Sequence, residues 1–337
     1  MTAVDTEVRS SAPQCVFAPL SGEEDAAPAA GRQVLGRVDY GFRSVPPGLR
    51  GGVPAMGVHM ASEGADPFTE LWLTDRPVRP GEDRGLVYAE DGEHLFCAVR
   101  VAERGVYREA VRRAYAAAFA LLVRRGYPRL LRMWNLVGAI TGGNAEGMEN
   151  YRDFCIGRAR AFDEWREHIG RVPAATGIGA RGPGIGMYFL ARRAGAPLRH
   201  LENPYQTPAY RYPRRYGPKA PSFARATWSD GTLYVSGTAS IVGDGTVHRG
   251  DIERQCDVTF ANIGALIGEE NLARHGVAGG FRLGDLDHVK VYVRDAAHLP
   301  AVRARCAELL HDRAEVRFLN VDVCRPDLLV EIEGICR

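Results

Sequence analysis

The run at residues 317–334 constrains the fold of this chain most. It reads RFLNVDVCRPDLLVEIEG, which is typical of two strands joined by a short turn. Pro326 suits the first corner of such a turn, because its ring fixes φ near the required value. With a loop at residues 326–329, Cys324 lies opposite Glu331 in an antiparallel pair, and their Cβ atoms are about 5 Å apart. The run therefore predicts a thiol and a carboxyl group side by side.

The second of these strands alternates between apolar and acidic residues. Successive side chains of a strand point to opposite faces, so Val330 and Ile332 share one face and Glu331 and Glu333 share the other. We expect the apolar face to pack against helices. The acidic face then looks at water, at a partner subunit or into a cleft.

Length and composition indicate an ordinary globular protein that is large enough for two domains. The chain has 337 residues, of which 45% are hydrophobic. Its sequence contains no apolar run of the ~20 residues that a membrane span needs. The first residues lack the basic and apolar pattern of a secretory signal. We therefore expect a cytoplasmic protein without a membrane association.

Several classes of site are not expected from the residue counts. The seven cysteines are scattered and form no CxxC pair, and the nine histidines show no HxH or HxxxH spacing. These patterns argue against a disulfide framework and against a metal site. A net charge of +2 gives no reason to expect nucleic acid as a partner.

The order of predicted elements favours an α+β fold with two related halves, in which mixed β-sheets pack on helices. From residue 222 onward the pattern predicts β-β-α-β-α-β-β, and the N-terminal half approximates the same order. Residues 1–30 are rich in Ser, Glu, Asp, Ala and Pro and are expected to form a disordered tail. We therefore divide the chain into this tail, an N-terminal domain at 31–221 and a C-terminal domain at 222–337.

A helix predicted at residues 146–170 carries an arginine on its apolar face. Arg158 lies among aromatic and aliphatic residues at helical spacing, and a buried guanidinium group needs a partner. It is either a structural residue, paired or extended toward water, or a residue that binds a substrate carboxylate in a bidentate manner. Tyr151 lies two turns earlier on the same face.

The stretch at 196–222 interleaves arginine with tyrosine and is rich in proline. It includes Tyr212 and is followed by Arg225. A solvated linker, a nucleic-acid contact and a lid over an anionic, aromatic-like ligand are the three alternatives. The segment 177–182 fits GxGxxG, but no strand pattern precedes it and Pro183 blocks a helix after it, so we reject a dinucleotide site.

Cys324 and Glu331 are ordinary residues when each is taken alone. A cysteine in a strand is usually a small buried hydrophobic residue, and a glutamate on a strand is usually solvated. Together on one face, beside a second carboxylate, they form a candidate acid/base pair. A partly buried glutamate with a raised pKa can serve as a general acid near neutral pH.

The chain also resembles two known families. The last ~115 residues resemble the RidA/YjgF reactive-intermediate deaminase fold through the runs at 235–237, 251–270, 289–294 and 330–334. From about residue 35 the chain resembles a chorismatase. That resemblance is carried by four runs: 132–135 (RMWN), 151–158 (YRDFCIGR), 175–180 (ATGIGA) and 208–218 (PAYRYPRRYGP).

The chorismatase resemblance implies cofactor-free conversion of chorismate to pyruvate and a ring product. It implies that Glu331 is the catalytic carboxyl group, which protonates the methylene carbon of the enolpyruvyl group. It also implies that Arg158 with Tyr151, and Arg225 with Tyr212, hold the two substrate carboxylates.

Two further positions bear on the product. The resemblance implies that Gly237 together with Cys324 marks the branch that forms 3-hydroxybenzoate, in which the 4-hydroxyl group attacks the ring internally. Relatives that form the trans-dihydrodiol carry alanine at the position of Gly237 and lack the cysteine. The dihydrodiol is therefore the alternative product.

Two other functions stay open at this point. One is an imine deaminase of the RidA type, although Arg317 is about one position away from where that family binds a carboxylate. The other is a non-catalytic metabolite-binding protein. RidA-like proteins are trimers with sites between subunits, but the N-terminal half can take the place of a neighbouring subunit, so a homotrimer and a monomer with an internal cleft are equally open. The resemblance also suggests that the product supplies a starter unit for secondary metabolism.

Overall fold

The structure of the protein is a computed structural model that describes residues 12–20, 31–62, 66–195 and 197–337. Three large sheets form its framework. The first contains β1 (Gln14–Pro19), β2 (Gln33–Gly41), β3 (Val45–Arg50), β4 (Val53–His59) and β5 (Phe68–Thr74). Its strand order is β1-β5-β2-β4-β3. In the described part of the chain, no helix is long and apolar enough to cross a membrane.

The second sheet and its helices follow in the chain. Its strands are β6 (Arg79–Asp83), β7 (Leu86–Glu90), β8 (His94–Val101), β9 (Arg129–Gly138), β10 (Ala174–Ala180) and β11 (Ile185–Arg192). The helices α1 (Arg108–Arg125), α2 (Asn150–Glu164) and α3 (Arg166–Ile169) cover one face. The single helix predicted at 146–170 is therefore two helices, which meet at Trp165.

The third sheet belongs to the C-terminal half. Its strands are β12 (Leu198–Leu201), β13 (Ala226–Ser229), β14 (Thr232–Ala239), β17 (Leu286–Val293), β18 (Glu315–Asn320) and β19 (Val330–Cys336), and a small ribbon of β15 (Ile241–Val242) and β16 (Gly245–Thr246) lies beside it. Helices α4 (Ile252–Ile267) and α6 (Leu299–Leu309) pack on its outer face, and α5 (Glu269–Arg274) follows α4. Asp251 caps α4 by accepting a hydrogen bond from the backbone of Arg254.

The prediction of two related halves is confirmed by the topology. The second sheet has the order β10-β9-β11-β8-β7-β6, and the third has the order β18-β17-β19-β14-β13-β12. In each half, the last strand lies inside the sheet: β11 lies between β9 and β8, and β19 lies between β17 and β14. In both, a parallel pair joins the same two strands, β9 with β10 and β17 with β18. Each half therefore repeats the same β-α-β-α-β plan.

The inner faces of the three sheets meet in one aromatic core. Trp72 of the first sheet packs against Trp134 of the second and Tyr234 of the third. Trp134 also stacks on Tyr188, with ring centroids 4.4 Å apart. The two halves are thus joined through buried side chains.

Three expectations from the sequence are wrong. Residues 14–19 form β1 and pair with β5, so this part of the predicted disordered tail is ordered, while residues 1–11 and 21–30 lie outside the described residues. The boundary after residue 221 is too late, because β12 pairs with β13 in the third sheet. The run at 317–334 is not a two-stranded hairpin, because β17 lies between β18 and β19.

Candidate active site between the two halves

A cavity of about 420 Å³ lies between the second and third sheets. The edge strand β10 of the N-terminal half contacts the C-terminal half here through three hydrogen bonds, each from a backbone N–H group to a side-chain hydroxyl group. Ala174 N donates to Thr227, Ala175 N donates to Ser236, and Gly237 N donates to Thr176. These bonds fix the two halves to each other at the wall of the cavity.

Glu331 lies on β19 and lines the cavity, although only 4% of it is exposed to solvent. The predicted alternation is confirmed: Val330 and Ile332 lie in the core beneath α4 and α6, and Glu331 faces the other half of the molecule. Burial and the negative charge of Glu333 raise the pKa of Glu331 to about 8. The carboxyl group is therefore protonated at neutral pH, as a general acid must be.

Cys324 is adjacent to Glu331, as predicted, but for a different reason. Its Sγ lies 4.0 Å from Oε2 of Glu331. Cys324 is in the loop after β18, and that loop is held by a hydrogen bond from Gly179 N to Asp322 O of 2.8 Å. Burial, together with the charge of Glu331, raises the pKa of the thiol, so the thiol is neutral.

The glycines of the segment 177–182 allow close packing. A Cβ on Gly179 would lie 2.5 Å from the carbonyl oxygen of Asp322, and one on Gly177 would lie 3.0 Å from the ring of Tyr151. Both glycines lie on β10. The loop that carries Cys324 and the ring of Tyr151 can therefore approach this strand only because these positions lack side chains.

Gly237 lies in a β-bulge beside Glu331. The pairing of β14 with β19 shifts there, so that Ser236 and Gly237 together face one residue of β19, Glu333. Gly237 N points away from the ladder and donates to Oγ1 of Thr176 at 3.0 Å. This bulge brings the backbone of residue 237 against the carboxyl group of Glu331.

Tyr151, Tyr212 and Arg225 also line the cavity, as expected for a binding site. Arg225 is buried, and its Nη2 donates to Tyr212 Oη at 2.7 Å and to Thr207 O at 3.1 Å. Its Nε has no hydrogen-bond partner among the described residues. A guanidinium group with an unused buried donor can bind an anionic ligand.

Arg158 does not line this cavity, so the structure gives no support to its predicted contact with substrate. Its guanidinium group donates to Ser222 O at 2.9 and 3.2 Å and to Tyr115 Oη at 2.7 Å, and it lies over the ring of Phe162. These groups satisfy the buried cation, which favours the structural alternative. Arg158 holds the segment around Ser222, whose neighbours Pro221 and Phe223 line the cavity.

Arg325 lines the cavity and was not recognised from the sequence. Its Nη1 donates to Asp244 O at 2.9 Å, its guanidinium group lies 3.9 Å from the ring centre of Tyr216, and its Nη2 is buried without a partner among the described residues. The predicted hairpin placed Arg325 on the face away from Cys324. Because residues 321–329 form a loop instead, both side chains reach the same cavity.

The charges of the cavity divide into paired arginines at the mouth and unpaired arginines inside. Arg152, Arg215 and Arg249 form ion pairs with Glu149, Asp244 and Asp327 respectively. Among the described residues, neither Arg225 nor Arg325 has a carboxylate within ion-pair distance, which leaves two inner cations near one neutral acid. This arrangement suits a ligand with two negative charges.

Comparison with known proteins gives one consistent result. The family described as "Chorismatase FkbO/Hyg5-like, N-terminal" matches residues 70–191. A 3-hydroxybenzoate synthase of Streptomyces hygroscopicus is 49% identical, over 94% of this chain and 95% of that protein. A chorismatase of the same organism is 45% identical, over 96% of this chain and 94% of that protein. A chorismatase crystal structure matches with a TM-score of 0.91 and 43% identity, over 98% of this chain and 100% of that one.

Proposed function

This chain belongs to the chorismatase family, and from that membership we propose that it converts chorismate to pyruvate and 3-hydroxybenzoate. The observation that carries the proposal is the buried carboxyl group of Glu331. It is protonated at neutral pH, and it faces a cavity that contains two guanidinium groups for which the described residues supply no carboxylate partner. The remaining steps follow from the chemistry of the substrate.

Chorismate carries two carboxylates and an enol ether. We assign one carboxylate to Arg225 with Tyr212, whose contact supports this pairing. For the other carboxylate we replace Arg158 by Arg325, because Arg325 lines the cavity with a free buried donor. Tyr151 forms a further wall. Two charged contacts orient the enol ether toward Glu331 without a cofactor.

The reaction begins with proton transfer from Glu331 to the methylene carbon of the enolpyruvyl group, which makes the side chain electron-deficient. The 4-hydroxyl oxygen then attacks the ring carbon that bears the ether oxygen. The bond from that carbon to the ether oxygen breaks, its electron pair becomes part of the pyruvate carbonyl group, and the hydroxyl proton returns to the Glu331 carboxylate. The bond from the epoxide oxygen to ring carbon 4 then breaks. Ring carbon 3 loses its hydrogen as a proton and its oxygen gains a proton, which gives 3-hydroxybenzoate.

The two products together contain the same atoms as chorismate, so the reaction consumes no oxidant, reductant or water. The dihydrodiol, in contrast, requires one added water molecule. Gly237 and Cys324 support the first outcome, because each lies against Glu331, where the choice between the internal hydroxyl group and water is made. The neutral thiol of Cys324 can relay a proton there.

Both halves of one chain contribute to the assigned site, since Tyr151 comes from the N-terminal half and Glu331 from the C-terminal half. This supports an active monomer rather than a homotrimer, with the N-terminal half in place of a neighbouring subunit. Specific activity that is independent of protein concentration is the expected result. We further propose a cytoplasmic location and a role of the product as a starter unit for secondary metabolism.

The proposal is tested by incubating the purified chain with chorismate. Lactate dehydrogenase measures pyruvate, and chromatography identifies the ring product. We expect equal amounts of pyruvate and 3-hydroxybenzoate, and a loss of about 10²–10⁴-fold in rate for Glu331→Gln. Glu253→Gln, an exposed position on α4, is the matched control and should keep full activity. If wild-type protein releases no pyruvate, the chain is a deaminase or a binding protein instead.

A further inference from the structure

Behind the cavity lies a buried group of charges that we call the central charge cluster: Glu70, Arg132, Lys290 and Glu333. They come from β5, β9, β17 and β19, so all three large sheets contribute. None is more than 4% exposed. Buried ion pairs stabilise a fold little compared with apolar side chains of the same volume, because the charges lose their hydration. The cluster therefore calls for a role beyond stability.

Glu333 is the most fully coordinated member of the central charge cluster. Its Oε1 accepts hydrogen bonds from Trp134 Nε1 at 2.7 Å and Lys290 Nζ at 2.9 Å. Its Oε2 accepts from Arg132 Nη2 at 2.8 Å and from the hydroxyl group of Thr176. Four donors, two of them cationic, fix this carboxylate in its charged form and in one orientation.

Two connections link Glu333 to Glu331. Both side chains lie on the same face of β19, two residues apart, so their carboxyl groups are neighbours, and both are buried, where charges interact more strongly than in water. Thr176 provides the second connection, since it donates to Glu333 and accepts from Gly237 N, and the backbone of Gly237 lies against the carboxyl group of Glu331. The cluster therefore acts on Glu331 through both charge and position.

We propose that Glu333 is a positioning residue for the acid: its fixed negative charge keeps Glu331 protonated at the pH at which the enzyme works. This inference rests on the proposed function of Glu331 as the proton donor. Glu333 does not touch the cavity. Ionisation of Glu331 would place a second negative charge beside that of Glu333. Repulsion between the two like charges opposes this ionisation and favours the protonated acid.

The pKa directions of the two carboxyl groups agree with this division of roles. Burial and the charge of Glu333 raise the pKa of Glu331. Burial also acts to raise the pKa of Glu333, but Lys290 and Arg132 hold it below its ordinary value. When two neighbouring carboxyl groups have pKa values shifted in opposite directions, the group with the raised pKa commonly acts as the acid and the other stays ionised.

The other charged and titratable groups that face Glu331 either oppose this effect or are neutral. Arg132 on β9, Arg225 before β13 and Arg325 in the loop after β18 favour the ionised form of Glu331. The Cys324 thiol and the Tyr151 hydroxyl group have pKa values raised by burial, so both are uncharged at neutral pH. Of these described charges, Glu333 favours the protonated form of Glu331, whereas the three arginines favour its ionised form.

The test compares Glu333→Gln with Glu70→Gln by measuring kcat/KM for chorismate against pH. Each variant removes one buried carboxylate that accepts from Lys290, so Glu70→Gln is the control for the loss of that ion pair. We expect Glu333→Gln to move the alkaline limb of the profile to lower pH by about one unit or more. Glu70→Gln should leave that limb in place, and Glu333→Asp, which keeps the charge, should restore it. A folded Glu333→Gln with an unmoved limb, or equal shifts in both Gln variants, overturns the proposal.

A second measurement does not depend on turnover. Infrared spectroscopy of the substrate-free protein detects the protonated carboxyl group that Glu331→Gln lacks. We expect this signal to persist to about pH 8 in wild type and to disappear at lower pH in Glu333→Gln. If that single variant does not fold, Glu333→Gln with Lys290→Met removes one charge of each sign and is measured in its place. If the carboxyl signal shifts as expected but the protein releases no pyruvate, the proposed function is rejected and this inference is kept. If the protein releases pyruvate but the signal does not shift, only the inference is rejected.

Discussion

No methyl group fits between the backbone of Gly237 and the carboxyl group of Glu331. A Cβ built on Gly237 would lie 1.9 Å from Oε1 of Glu331 and 3.2 Å from Oγ1 of Thr176. Real contacts of this kind are never so short, so a side chain at position 237 must displace the carboxyl group. Residue 237 therefore determines the position of the Glu331 carboxyl group, in addition to the space available to the substrate ring.

We expect Gly237→Ala to change the product. The added methyl group pushes Glu331 away from its position beside the bulge, so the proton is delivered from another direction and water competes with the 4-hydroxyl group. The dihydrodiol should increase at the expense of 3-hydroxybenzoate, as chromatography of a chorismate digest will show. Gly264→Ala on α4, where a Cβ meets no atom within 4 Å, is the control. An unchanged product ratio in Gly237→Ala would contradict the assigned role.

Cys324 gives a separate prediction. Because its thiol is neutral and 4.0 Å from Oε2 of Glu331, it can pass on a proton but does not act as a thiolate. Cys324→Ala should shift the product toward the dihydrodiol, whereas Cys324→Ser, which keeps an O–H donor, should retain more 3-hydroxybenzoate. Equal product ratios in both variants would show that the proton of this side chain is not used.

The sequence predicts the two repeated halves and the alternation of β19, because local periodicity determines these features. Cys324 does lie beside Glu331, but the loop after β18 places it there and not the predicted short turn. The sequence does not predict that β17 separates β18 from β19, since strand order depends on long-range packing. That one error hid Arg325, because the assumed hairpin turned it away from the cavity. For Arg158 the sequence left two alternatives, because one of its partners, the carbonyl oxygen of Ser222, is a backbone atom that no residue pattern reveals.

Arg325 should contribute directly to substrate binding. Arg325→Met removes a cation whose buried Nη2 has no other described partner, and a hydrogen bond to a charged group contributes about 1.5–3 kcal/mol. We therefore expect KM for chorismate to rise about tenfold or more. Arg215→Met at the mouth, where the side chain is 62% exposed and paired with Asp244, is the control. Its KM should change by less than about threefold, because surface ion pairs contribute little.

Arg158 should affect stability more than binding. In Arg158→Met, Ser222 O and Tyr115 Oη lose their buried partner, at a cost of about 1–3 kcal/mol for each group. Urea unfolding should show this loss, and the rise in KM should be smaller than in Arg325→Met. The opposite ranking, with intact stability and a large rise in KM, would return Arg158 to the substrate.

The raised pKa of Glu331 predicts how activity and stability depend on pH. Because the proton donor must carry its proton, kcat/KM should fall as the pH rises through about 8. The same carboxyl group affects folding. Its pKa is about 8 in the folded protein and near the ordinary 4.5 in the unfolded chain. The folded state therefore binds the extra proton between these values.

The sign of the effect on stability follows from this proton. The stability that the neutral carboxyl group contributes is present below about pH 4.5 and is lost as the pH rises through about 8. The side chain at position 331 stays neutral at every pH in Glu331→Gln. This variant is therefore the reference: the difference in free energy of unfolding between wild type and Glu331→Gln removes the contributions of the other titrating groups. Between pH 5 and pH 9, wild type should therefore lose on the order of a few kcal/mol relative to Glu331→Gln. Urea unfolding at both pH values measures the difference, and a constant difference would mean that Glu331 is ionised in the folded protein at neutral pH and is not the acid.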